Sequence, residues 1–119
     1  ATASEVARSR QGDCTEHATL LAALARACGI PSRVVVGIVH VDQAMVLRDV
    51  FGYHMWTQMH VAGQLVAFDA AMDQTDCDTT HIALDISTLD NASIADLALR
   101  FLPIIGQLKI EVVAQTPSR

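Results

Sequence analysis

The stretch RQGDCTEHATLLAALARACGIPSRVV, Arg10 to Val35, decides the fold. Asp13 and Glu16 stand at the D-x-x-E spacing of a helix start, Asp13 as N-cap and Glu16 three residues on. Ala18, Leu21, Ala25 and Cys28 then recur at helical spacing, and Leu20, Leu24 and Ala27 widen the stripe. So broad a stripe predicts a helix over about Asp13 to Cys28, buried on most sides, with Cys28 packed on its apolar face. Gly29 supplies the stop and Pro31 reinforces it. Cys14 therefore falls in the first helical turn, an odd place for a cysteine used only as filler.

Outward from this helix, SRVVVGIVHV is rich in β-branched residues and reads as a buried strand, Ser32 to Val41. Asp42 to Gly52 lacks a clear period and reads as a loop or a poorly paired hairpin end. YHMWTQMHV alternates, which puts His54, Trp56, Gln58 and His60 on one face and Tyr53, Met55, Thr57, Met59 and Val61 on the other. Ala62-Gly63 makes a turn, and QLVAFD returns as a paired strand ending at Asp69. Ala70 to Asp90 is polar and reads as irregular. A short helix is expected around Ser93 to Phe101, stopped by Pro103, and LKIEVVA reads as a last strand. A helix followed by an antiparallel sheet is an α+β arrangement.

Composition narrows the function. With 119 residues, 51% of them hydrophobic, the chain suits one globular domain, 1–119. It opens almost at once on the cysteine segment and reads as a piece of a longer protein. A net charge of −5 without any Lys or Arg cluster speaks against nucleic acid, which demands concentrated positive charge. No apolar stretch reaches the ~20 residues of a membrane span. Cys14, Cys28 and Cys77 include no C-x-x-C pair, so neither a disulfide framework nor a thiolate zinc site is expected.

A thiol at a helix N-terminus sits beside free N–H groups and the positive end of the macrodipole. Both favour thiolate, the nucleophilic form, and the same N–H groups can receive an oxyanion. Gly12 would leave room beside the thiol for a substrate chain. Such a thiolate needs a base, and the base needs an orienting group. His54 begins one strand of the expected hairpin and Asp69 ends the other, so the two lie near the same end of it. Together the three have the logic of a catalytic triad with sulfur in place of oxygen.

GDCTEHATLLAALARACGIPSRVVVG, then GYHMW, then AFDAA followed by THIAL, resembles the transglutaminase-like superfamily of papain-related thiol enzymes, bacterial members more than the multidomain animal ones. The likeness runs from about Arg10 to Leu84. It implies a papain-like core with the cysteine helix packed on an antiparallel sheet. It implies as triad Cys14, His54 and Asp69. The substrate pocket would draw on Gln11, Gly12, Asp13 and Trp56, with Gln11 a candidate second oxyanion donor. Protein or peptide amides are the implied substrates, and the protease-like bacterial members imply hydrolysis ahead of cross-linking. Calcium serves some animal members, but no D-x-D-x-D-G loop is present, so no cofactor is expected. Were upstream elements missing, a homodimer would cover the exposed core edges.

Other readings compete with these. His17, one turn after Cys14, could approach the thiol, but it lacks an orienting acid in sequence. His40, His60 and His81 read as structural or surface residues, Cys77 as an exposed loop thiol, and Arg33 as the partner of an acid at the sheet edge. A binding module that keeps the fold without turnover, and a metal hydrolase using His54, His60 and Asp69, are the alternatives from other classes.

Overall fold

The computed structural model describes residues 1–89 and 94–117. Its elements are α1 (Ala3–Ser9), α2 (Cys14–Ala27), β1 (Ser32–Ala44), β2 (Leu47–Val61), β3 (Gln64–Asp69), β4 (Gln74–Thr75), β5 (His81–Ser87) and α3 (Ile94–Phe101). The five strands form one sheet in the order β4-β3-β2-β1-β5, and every pairing is antiparallel. The α+β arrangement is therefore observed, with the cysteine-bearing helix packed on the sheet.

Helix α2 begins and ends as its residues dictate. The Asp13 carboxylate accepts the Thr15 N–H at 2.9 Å, and Glu16 reaches back to the Asp13 N–H at 3.1 Å. At the far end Gly29 takes φ +77°. Its N–H donates to the Arg26 carbonyl, and the Ile30 N–H to that of Ala25, both at 2.9 Å, which closes the last turn.

The buried face of α2 is an alanine seam narrower than the stripe expected: Ala18 and Ala25 of that stripe are buried, and Ala22 joins them. Small side chains let the helix axis come close to the sheet. Leu20 and Leu21 are half-buried and Leu24 is 54% exposed, so the helix is not buried on most sides. Cys28 lies exposed at the C-cap rather than packed.

Strand β1 is buried without interruption from Val34 to Val39, as a central strand should be. It pairs β2 from Ser32↔Met59 to Ala44↔Leu47. The segment expected as loop is thus mainly ladder, closed by a tight turn at Met45 and Val46, although Asp42 and Asp49 drop out of the register. The β2–β3 hairpin turns at Ala62 (φ 50°) and Gly63 (φ 81°), as the Ala-Gly pair predicts.

Ala70 to Asp90 is less irregular than its polarity implies, since β4 and β5 both lie within it. Position 90 itself falls outside the described residues. Strand β5 adds to the free edge of β1, on the far side from β2. Its residues His81-Ile82-Ala83-Leu84 carry the strand character, but the polar run before them hides it.

The register of β1 and β5 shifts at Val36/Gly37, and here a glycine is indispensable. A Cβ on Gly37 would lie 2.1 Å from the Ile82 carbonyl oxygen and 2.6 Å from the Trp56 indole. The expected last strand, LKIEVVA, does not form: residues 108–117 have no regular structure. Strand-like alternation needs a sheet edge to pair with, and this tail reaches none.

The core joins Ala18 and Ala22 of α2 to Val34, Val36 and Met55 of the sheet, and Leu97 and Phe101 of α3 close it. Helix α3 ends at Phe101, two residues before Pro103; Ser93, expected at its start, lies outside the described residues. Helix α1 is an element that sequence reading did not foresee. Thr2 and Glu5 cap it reciprocally, at 3.3 and 2.7 Å, and Val6 is its one buried residue.

Candidate active site

Thr57, fully buried on β2, donates its hydroxyl proton to the Ala18 carbonyl of α2 at 2.9 Å. One helical turn before Ala18 is Cys14, and three residues before Thr57 is His54. The contact that docks the helix on the sheet therefore also brings the thiol to the imidazole. Alternation along β2 holds as expected: Met55 and Thr57 face α2, while His54 and Trp56 stack on one another with centroids 6.3 Å apart.

Cys14 and His54 line the same cavity side by side. On the other side of the ring, His54 Nε2 lies 2.5 Å from Asp69 Oδ2. Asp69 ends β3 beside β2, and the hairpin register, with Thr57 opposite Phe68, delivers its carboxylate to His54. Since Nε2 is taken, Nδ1 is the nitrogen left for the thiol. α2, β2 and β3 thus bring Cys14, His54 and Asp69 together in one site.

The electrostatics follow from these contacts. The hydrogen bond from His54 holds the Cys14 thiol below its ordinary pKa, against the opposing pull of burial and the nearby Asp13 charge; the imidazolium charge and the Met55 backbone add to the lowering. His54 is raised to about 9, first by its bond to Asp69 and then by Cys14, and burial only partly offsets them. For Asp69 burial acts upward most strongly, yet the bonds from His54 and His81 outweigh it and leave the carboxyl at about 2. His54 gains from two partners while Asp69 works against its own burial, which is why the shifts differ in size. Thiolate, imidazolium and carboxylate are the forms this arrangement favours.

Cys77 contrasts with Cys14. It is half-buried in the loop after β4 rather than exposed. Burial and the charges of Asp69, Asp78 and Asp76 push its thiol up to about 11.

The remaining expected residues take various places. Trp56 is 2% exposed and lies against His54 and edge-on to His81, a wall behind the imidazole rather than a reacting group. Asp13 is the N-cap. Gly12 has Glu16 where its Cβ would be, at 2.3 Å, so the local need for glycine is the capping side chain. Gln11 is exposed and lines a separate groove between α1 and α2 together with His17, whose Nδ1 lies 2.7 Å from the Asp13 carbonyl oxygen. Arg33 donates to the Gln58 amide oxygen across the ladder at 2.8 Å, not to an acid.

His81 is the residue that sequence reading missed. Read as structural or surface, its side chain is 2% exposed, and its Nε2 lies 2.9 Å from Asp69 Oδ2. Its place in THIAL, after a strand that ends in aspartate, was the available signal. His54, Asp69 and His81 also form a compact group of metal-ligating types, while His60, named for a metal alternative, is exposed and outside it. The separations of 2.5 and 2.9 Å are those of direct hydrogen bonds, shorter than two ligands spaced around a shared ion.

Cys14 and His54 open on a cavity of about 310 Å³ whose walls include Val36, Met55, Leu97, Phe101 and Ile105. Helix α3 and the turn after it supply three of those five. Among the described residues no helix is long and apolar enough to cross a membrane.

The family model described as transglutaminase-like superfamily matches residues 1–70, a span that contains Cys14, His54 and Asp69. No curated protein and no solved structure matches the chain.

Proposed function

This chain belongs to the transglutaminase-like superfamily, and on that premise we propose that it is a thiol acyl-transfer enzyme acting hydrolytically on protein or peptide amides. The observation that carries the reading is the 2.5 Å contact between His54 and Asp69, with Cys14 beside His54 on the same cavity. The Cys14 thiolate attacks the amide carbonyl carbon, forming a C–S bond. The electron pair displaced onto oxygen faces the N-terminus of α2. There the N–H groups of Thr15 and Glu16 are held by the Asp13 carboxylate, which leaves that of Cys14 itself as the donor. As the tetrahedral species collapses the C–N bond breaks, and the His54 imidazolium gives its proton to the leaving amine. Water then yields a proton to His54 and attacks the thioester. The C–S bond breaks, an acid is released and the thiolate–imidazolium pair returns. Asp69 keeps the ring in register throughout. The cavity beside Cys14, with its apolar walls, suits the apolar part of the acyl group.

Digestion of a peptide library, followed by mass spectrometry with and without a primary amine, tests this reading. New carboxyl termini at unmodified peptides are expected; amine adducts on glutamine would replace hydrolysis by transfer. Peptide-resolved labelling with iodoacetamide at pH 6 tests the chemistry beneath it. Cys14 should react far ahead of Cys77, and equal rates would reduce the domain to a binding module.

A further inference from the structure

Asp69 is an enclosed carboxylate with four hydrogen bonds. Its Oδ1 accepts the backbone N–H groups of Ala71 at 3.0 Å and Met72 at 3.1 Å. Its Oδ2 is shared by two imidazoles, His54 at 2.5 Å and His81 at 2.9 Å. An ionised carboxylate only accepts, so both Nε2 atoms carry a proton. A triad requires one of these donors. The second comes from β5, at the opposite edge of the sheet from β4.

The His81 ring is itself held from every side. Its Nδ1 lies 3.1 Å from Thr80 Oγ1, and the Thr80 hydroxyl donates to Asp78 Oδ1 at 2.5 Å. The Thr80 backbone N–H donates to the same Asp78 oxygen at 3.0 Å. Trp56 meets the ring edge-on, with centroids 5.1 Å apart. With both nitrogens engaged and the ring 2% exposed, His81 presents one fixed N–H to Asp69. The titratable groups around the carboxylate are His54, His81 and Cys77, with Asp76 and Asp78 in the same loop.

We propose that His81 is a positioning residue, whose Nε2–H locks the Asp69 carboxylate in the orientation that meets His54. The proposal rests on the triad reading of Cys14, His54 and Asp69. Without His81, Oδ2 loses one of its two donors in a site closed to water, an unfavourable state for a buried anion. The carboxylate then relaxes away from the His54 axis, His54 holds its proton less firmly, and the Cys14 thiolate loses its counter-ion. Thr80 and Asp78 act one step further out, as the brace on His81.

The test is the pH profile of iodoacetamide alkylation at Cys14, resolved by peptide mass spectrometry in the full chain. It is run for wild type, His81→Ala, His81→Gln and Asp69→Asn, with Cys28 as internal reference and thermal melts to verify folding. In wild type the Cys14 midpoint should lie below the ordinary thiol range. His81→Ala should raise it by about one pH unit, and His81→Gln, which restores an N–H near the same place, should return most of the shift. A midpoint unchanged or lowered in folded His81→Ala overturns the proposal, and so does a failure of glutamine to rescue. If His81→Ala does not fold, Thr80→Val, which releases Nδ1, must raise the midpoint by a smaller amount, and no rise is equally fatal. Failure of the underlying triad would look different. Cys14 would then titrate in the ordinary thiol range already in wild type, and Asp69→Asn would leave it there.

Discussion

The hydroxyl of Thr57 and the carbonyl of Ala18 meet at 2.9 Å in the middle of the core, and they tie the helix that carries Cys14 to the strand that carries His54. A chain can place a cysteine in a first turn by local rules, but this contact sets where that turn lies relative to His54. Thr57→Val keeps the shape and removes the donor. It should cost about 1 kcal/mol, or roughly 4 °C in Tm. Cys14 alkylation near neutral pH should slow by more than the loss of stability explains. Unchanged alkylation would show that the helix is docked by packing alone.

Cys14 sits at the cavity rim and is only partly buried. Cys14→Ala should lower peptide hydrolysis by ~10⁴-fold or more, since the proposed nucleophile is gone. The melting temperature should stay within about 2 °C of wild type. Wild-type turnover in this variant would end the enzymatic reading.

On the proposed mechanism, the pKa shifts of Cys14 and His54 give turnover a defined pH window. Activity should rise as Cys14 deprotonates, below the usual thiol range, and fall as His54 loses its proton through about 9. Alkylation by iodoacetamide consumes thiolate without a proton donor, so it should show the rise and no fall. A fall in both profiles would trace the upper limb to unfolding.

Stability should depend on the same pair. Asp69, at about 2 when folded against 3.8 unfolded, contributes fully above 3.8 and loses that contribution as pH falls through 2. His54, at about 9 when folded against 6.5, contributes fully below 6.5 and loses it as pH rises through 9. Because one ion pair underlies both shifts, they do not add, and the total is on the order of 2 kcal/mol. Urea midpoints of wild type and Asp69→Asn should therefore differ most between about pH 4 and 6.5. The gap should narrow toward pH 2 and toward pH 9 and above. A gap independent of pH would mean that Asp69 stabilises through its Ala71 and Met72 turn rather than through His54. Asp69→Asn should also slow hydrolysis by roughly 10²–10⁴-fold.

Gly37 gives a prediction remote from the reacting atoms. Alanine there drives a methyl into the Ile82 carbonyl and the Trp56 ring. The expected cost is about 1–3 kcal/mol, and because Trp56 backs His54 and His81, Cys14 reactivity should drop as well. A fully stable and reactive Gly37→Ala protein would mean that β5 can slide along β1 at no cost.

Local signals in the sequence determined α2, its cap at Asp13, its stop at Gly29, the alternation of β2 and the Ala62-Gly63 turn. All of these depend on residues close together in the chain, so a short window contains the cause. The meeting of His54 and Asp69 was legible too, because a two-residue turn fixes where both side chains fall. Strand β5, the exposure of Leu24 and Cys28, and the failure of LKIEVVA to pair depend on which surface meets which, and that is absent from any window. His81 belongs with these. Eleven mostly polar residues, β4 among them, separate it from Asp69, and only the addition of β5 beside β1 brings its Nε2 to the carboxylate. Hydrogen bonds across a sheet are set by register and edge order, and tertiary packing alone decides those.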